Sequence, residues 1–483
     1  MEISPHAETD DFLSDAPKDF QWQQYPEADK VLREKVGEFL QEHLFAADLA
    51  KRMHEETGTD FFDWVDHMFI PSGQDIATMR NRNNLVRTLE TQGFTHETAL
   101  GQARLHHPHA DFPIVCTTDS HTLRIGIGVE SVEDFLQKHH LNAPIFGNPF
   151  NPLRCAFIPY GNMNLVIVER HNEKVEAPRI DEETIIEGYG LWDSREREPD
   201  PGQEHNYMQK TLDCAKELVQ LVGGRAADTV LDCERNYWMY TKENTAGALM
   251  KDRLDALGLG WGKIRDHHTF RSSREHFATL VQIFLTLGFK KRERYYAGDA
   301  HGWGAQVMEH PETGDVLFLD VDLFPDEAQI DFSREPLHSR GQFNTVGRWC
   351  ALHGESILNA GMHHLEAKFD FDKVRSILEK EKIQTMPPFS DFPYLRQAFT
   401  EGEQWYLDDV RLDHALRIGA INQETYNHIV ANDFSAIGSH LENLQRRNGY
   451  KGFNKKGVDA ILAAVDPQRI AVQQKIEAVV NDK

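Results

Sequence analysis

The sequence predicts an α+β protein of repeated βαβββ modules forming a curved-sheet metal cup, with helical N-terminal, middle and C-terminal segments. Three observations predict it. The order strand, helix, strands recurs at residues 121–171, at 263–323 and again from 361. The stretches around these units carry apolar residues at three- and four-residue spacing, the mark of amphipathic helices. Two strands from separate units each place a histidine, and a cation four residues later, on one face.

The elements follow in order. Residues 1–110 read as a helical N-terminal region, from the apolar spacing within 31–44 and 83–91. Residues 111–180 form a βαβββ module expected to be structural. Its strand at 122–129 leads to a capping box, Ser131 to Asp134, and a helix face of Val132, Phe135 and Leu136. Short strands follow at 144–146, 154–159 and 164–169. His121 and Glu169, on its first and last strands, mark a possible second site.

Residues 181–260 read as a helical connector. An exposed linker at 194–202 contains Pro199 and Pro201, and a helix over 204–222 stops at Gly223-Gly224. A further helical stretch ends at Gly258. Residues 261–410 hold paired modules. A strand over 264–272 precedes a helix with Phe277, Leu280, Val281, Phe284 and Leu285 on one face, stopped by Gly288. Strands follow at 290–296, 305–310 and 315–323. A strand at 362–369 then leads to a helix over 372–380 and one long strand run at 394–407. Residues 411–483 read as helical, broken by Gly449, Gly452 and Gly457.

Composition narrows the function. The chain has 483 residues, 40% of them hydrophobic and 27% charged, enough for several packed units. Lys and Arg number 52 against 77 Asp and Glu, a net charge of −25. Such a surface repels phosphate backbones and anionic lipid, so neither nucleic acid nor a membrane is an expected partner. No apolar run reaches spanning length, and residues 1–16 are too acidic and polar for a signal peptide. Five cysteines without a CxxC pair suit a reducing compartment. The expectation is a cytoplasmic protein; its oligomeric state is not legible.

Strand parity points to a site. His267, Thr269 and Arg271 share one face, opposite His268 and Phe270. His364, Glu366 and Lys368 share another, opposite His363, Leu365, Ala367 and Phe369. The apolar faces should pack on helices, so His267 and His364 line the cup together. Candidate carboxylates come from the last strands. Glu401 shares a face with Gln397, Phe399 and Glu403, while Asp320 and Asp322 stand together on an otherwise apolar strand. Buried carboxylates there are costly unless paired or metal-bound. Two imidazoles and one carboxylate on one side of an ion form the facial arrangement of non-haem Fe(II) oxygenases, with positions left for substrate and O₂. His267, His364 and Glu401 are the metal candidates, with Asp320 and Asp322 as runners-up. Arg271 suits a bidentate clamp on a substrate carboxylate, with Lys368 as a second substrate-binding cation.

The module order resembles the plan of the vicinal oxygen chelate superfamily. Three pieces are similar to one branch, the 2-oxoadipate dioxygenase/decarboxylase (2-hydroxyglutarate synthase) family, over roughly residues 263–405. They are His267-His268-Thr269-Phe270-Arg271, His364-Leu365 through Asp370-Phe371-Asp372, and Leu395-Arg396-Gln397 with Phe399-Thr400-Glu401-Gly402-Glu403-Gln404. The resemblance implies Fe(II) held by His267, His364 and Glu401, with Arg271 on the substrate carboxylate. It implies a 2-oxo acid that chelates Fe(II) and is converted by O₂ to a 2-hydroxy acid with loss of CO₂. The chain departs from the family at Lys368, where the family has arginine. It also lacks the family's longer segment between the Leu-Arg-Gln strand and the glutamate. Two other readings remain open: a lyase or isomerase whose fourth ligand is Asp320 or Asp322, and a metal-free small-molecule-binding protein.

Overall fold

The computed structural model describes residues 23–451 apart from 72–75, 100–101, 119–120, 150, 172–179, 299–300, 328–329, 335–336, 387 and 389. Among the described residues four βαβββ modules, not three, make up two eight-stranded sheets. The first has β1 (Val65–Pro71), a helix Ile76–Thr91, β2 (Thr95–Ala99), β3 (Gln102–His106) and β4 (Ile114–Thr118). The second has β5 (Leu123–Val129), a helix Val132–Lys138, β6 (Ile145–Phe146), β7 (Leu153–Tyr160) and β8 (Met163–Arg170). Four helices, Glu182–Asp193, Glu204–Val222, Ala226–Asn236 and Thr245–Ala256, connect to the second pair.

The third module has β9 (Arg265–Arg271), a helix Phe277–Thr286, β10 (Lys290–Tyr296), β11 (Trp303–Glu309) and β12 (Val316–Asp322). The fourth begins with β13 (His364–Lys368), a helix Phe371–Lys380, β14 (Ser390–Phe392) and β15 (Leu395–Phe399). An insertion then intervenes: β16 (Gln404–Tyr406), helices Asp409–Arg417 and Gln423–Ala431, and β17 (Ser435–Ile437). Only then does β18 (His440–Arg446) complete the module.

The sheets share one plan. Their orders are β2-β3-β4-β1-β5-β8-β7-β6 and β10-β11-β12-β9-β13-β18-β15-β14. In each, two modules abut antiparallel through their first strands, and each first strand runs parallel to its module's last. The helices cover one sheet face. Phe277, Leu280, Val281, Ile283 and Phe284 are buried on one, and Phe371, Val374, Ile377 and Leu378 on another. The capping box at Ser131 forms, its hydroxyl accepting the Asp134 N–H at 3.2 Å. Among the described residues no helix is long and apolar enough to cross a membrane.

Two regions differ from the helical reading. Within 1–110, residues 65–106 contribute three strands. A bulge between Val65 and His67 breaks the alternation of β1, and β2 and β3 carry mostly polar residues, so periodicity hides them. Within 411–483, residues 440–446 are a strand between β13 and β15. Leu441 and Leu444, three apart, imitate a helical face. Residues 452–483, also read as helical, lie outside the described residues.

Candidate metal centre

Register decides which side chains meet. β13 pairs with β9 so that Glu366 lies opposite His267, and with β18 so that His364 lies opposite His440 and Glu366 opposite Glu442. Paired residues project to the same side. His267, His364 and Glu442 therefore share the face away from the helices. His267 Nε2 is 3.0 Å from His364 Nε2, which is 3.1 Å from Glu442 Oε2. All three residues are buried, with ligand atoms within 4.8 Å of one another.

Neighbours orient this trio. His267 Nδ1 faces Glu366 Oε1 at 3.2 Å and Asp266 Oδ1 at 3.3 Å, which turns its Nε2 toward the centre. Phe318 packs on its ring at 4.4 Å between centroids. The amide of Gln397 donates to both Glu366 and Glu442. The Thr269 hydroxyl lies 2.7 Å from His364 Nε2.

Burial and neighbouring charges shift every member of the trio. Burial would lower His267, but Glu366 and Asp266 more than offset it and hold the imidazole at about 9. Burial, His440 and His267 push His364 well below the usual imidazole range. Burial and the Glu366 carboxylate push Glu442 well above the carboxylate range, while His267 holds Glu366 low despite its burial. A divalent ion would reverse the penalty on Glu442. The spacing also fits one. Two ligands about 2.1 Å from a metal and at right angles stand about 3.0 Å apart, as on one face of an octahedron.

Glu401 is not in this group. β15 ends at Phe399, the chain turns away, and Glu401 is exposed, its N–H donating to the Gln384 carbonyl. The last strand of the module is β18, beyond the insertion, and it delivers Glu442 instead. Glu403 is likewise occupied elsewhere, accepting the Thr245 N–H at the start of a helix. Asp322 caps another: its carboxylate accepts the N–H groups of Asn344 at 2.7 Å and Val346 at 3.0 Å. That role excludes it as a metal ligand in this geometry.

Asp320 faces Arg271 rather than the trio, its Oδ2 lying 4.0 Å from Arg271 Nε. Its Oδ1 has no hydrogen-bond partner among the described residues, and burial pushes the carboxyl up to about 7 despite Arg271 and His267. Arg271 itself is anchored by its backbone N–H, which donates to Ser356 Oγ at 2.8 Å, and by Trp349, 5.4 Å beneath its guanidinium. Its Nε has no hydrogen-bond partner among the described residues. A half-buried cation with a donor to spare thus stands at one end of the metal face. Trp349 also packs on His353 at 5.2 Å, and His353 lines a cavity of about 730 Å³ with Lys242 and Trp405.

Lys368 stands at the opposite end. The antiparallel pairing places Ala367 beside Arg265, the far end of β9 from Arg271. Its ammonium is paired with Asp111 of the first sheet, between β3 and β4. The structure thus makes Lys368 a link between sheets instead of a partner of Arg271.

The first sheet shows the same plan without the ligands. His67 lies opposite Gly126 as His267 lies opposite Glu366, and Arg124 and Val166 occupy the places of His364 and Glu442. A Cβ on Gly126 would lie 2.5 Å from the His67 ring, so the imidazole itself fills the space. His121 is exposed, and Glu169 accepts the Val132 N–H at 2.9 Å and faces His171 at 3.1 Å. These two do not converge.

No family model matches the chain, and no curated protein matches it. Solved structures do. A triple-substituted variant of 4-hydroxymandelate synthase from Streptomyces coelicolor is 12% identical over 85% of this chain and 99% of its own, with a TM-score of 0.28. Methylmalonyl-CoA epimerase from Mycobacterium tuberculosis is 11% identical over 38% of this chain and 88% of its own, at 0.22. A catechol 2,3-dioxygenase is 8% identical over 81% and 91%, at 0.19. Scores this low carry no functional weight.

Proposed function

We propose that the chain is a mononuclear metal enzyme, a non-haem Fe(II) dioxygenase that decarboxylates a small 2-oxo acid to a 2-hydroxy acid. One observation carries the reading: two imidazoles and one carboxylate from β9, β13 and β18 meet at 3.0 and 3.1 Å on one buried face. Two-histidine, one-carboxylate facial sites are the mark of non-haem Fe(II) oxygenases. The module order agrees with the vicinal oxygen chelate plan that the sequence resembles.

His267, His364 and Glu442 would hold the ion, and Fe(II) so held would supply binding positions for a chelating 2-oxo acid and for O₂. The protein's own groups do the rest. Arg271 binds the substrate carboxylate with its fixed planar donors. Glu366 keeps the proton of His267 on Nδ1, and Gln397 restrains both glutamates. Phe318 packs on the His267 ring and Phe399 stacks on His440, which flank the trio with apolar surface. The reaction balances: the 2-oxo acid and O₂ yield CO₂ and a 2-hydroxy acid, one oxygen atom going to the new carboxylate and the other to the new hydroxyl.

The deciding experiment is oxygen uptake by Fe(II)-loaded protein across a panel of 2-oxo acids, with released CO₂ measured alongside. Matched consumption and release by the wild type, lost in His267→Ala and Glu442→Ala, supports the reading. Turnover that persists under argon overturns it in favour of a lyase or isomerase.

A further inference from the structure

A second group of metal-ligand type lies away from the β9–β13–β18 face. His205 is in the first turn of helix Glu204–Val222, and Glu275 and His276 lie in the turn after β9. One ligand atom of each falls within 4.8 Å of the other two. The His205 and His276 rings are 6.1 Å apart, and His276 Nε2 is 3.9 Å from Glu275 Oε1.

His276 is the residue that points to a ligand. Its side chain is only 7% exposed. Its Nδ1 lies 3.0 Å from Glu355 Oε1 and 3.0 Å from Ser273 Oγ. Glu355, itself 3% exposed, therefore accepts a hydrogen bond from Nδ1–H and keeps a proton on that nitrogen. Nε2 is left beside Glu275 and His205, with no hydrogen-bond partner among the described residues. A buried acceptor without a donor is costly, whereas a carboxylate behind an imidazole is the usual support of a metal-bound histidine.

We propose that His205, Glu275 and His276 bind a second transition-metal ion, with Zn(II) the best-suited class and water as the fourth ligand. Imidazole and carboxylate suit that ion, and three protein ligands with one open position suit its tetrahedral preference. The site reaches back to the first. Glu355 also accepts from Ser272 and Ser273, and the adjacent Ser356 holds the Arg271 N–H, so an ion here would brace the end of β9. The proposal does not depend on the function assigned above.

The test counts metal in chelator-stripped, full-length protein reloaded with Co(II). His205→Ala and Glu275→Gln should each bind one equivalent fewer than the wild type. Both replaced side chains are exposed, so the fold should be retained. The His267→Ala/Glu442→Ala protein should keep one equivalent with the strong visible absorption of tetrahedral Co(II). Adding His205→Ala should weaken that remaining ion at least tenfold. Unchanged stoichiometry and affinity in both His205→Ala and Glu275→Gln would overturn the proposal. So would a protein lacking His267 and Glu442 that holds no Co(II).

Discussion

At the scale of single residues, Glu442 and Glu401 carry opposite predictions. Glu442→Gln should abolish stoichiometric metal binding at the β-sheet centre, and Glu401→Gln should leave it unchanged, as read by metal content. Glu366→Gln should weaken the same ion about 10–100-fold, the usual cost of losing a carboxylate behind a metal-bound histidine. His171 offers a pH test. Burial would lower its imidazole, but Asp228 at 3.0 Å and Glu169 at 3.1 Å hold it at about 9. Its folded value exceeds the unfolded value of about 6.5. Its contribution is therefore complete below about pH 6.5 and lost as pH rises through about 9. His171→Gln should flatten the decline of the denaturation midpoint across that window.

At the scale of elements, the helix Thr345–His353 depends on Asp322, which accepts two of its end N–H groups. Asp322→Ala should cost about 1–2 kcal/mol, seen as a lower urea midpoint, with metal content unchanged. Loss of the metal along with stability would return Asp322 to the ligand set. β18 shows how an element escapes detection. Its letters, HLENLQR, carry no strand alternation because each face is mixed: Leu444 shares the side of His440 and Glu442, while Asn443 and Gln445 share the side of Leu441. The helix Phe277–Thr286, by contrast, was legible, since its apolar face packs on one side only.

At the scale of the whole molecule, two sheets of one plan are joined by polar contacts, among them Lys368 with Asp111. The lysine side chain is 11% exposed and the aspartate 33%, so the penalty of breaking the pair falls below the about 3–5 kcal/mol of a fully buried one. Lys368→Met should nevertheless lower the urea midpoint more than Lys368→Met/Asp111→Leu, because the single change strands a carboxylate between the sheets. Equal effects would deny the link. The first module shares the plan of the others, but the bulge between Val65 and His67 breaks the regular pattern of β1 that would have revealed it.

The letters alone were sufficient for the strand–helix starts of the modules at β5, β9 and β13 and for the common face of His267, Arg271 and His364. Alternation along a strand is local covalent geometry and needs no partner. The choice of carboxylate required the folded chain. Glu442 reaches the two histidines only because β18 pairs with β13 after an insertion of two strands and two helices, and pairing across such a gap leaves no periodic trace in sequence. The same holds for Lys368, whose partner comes from the other sheet.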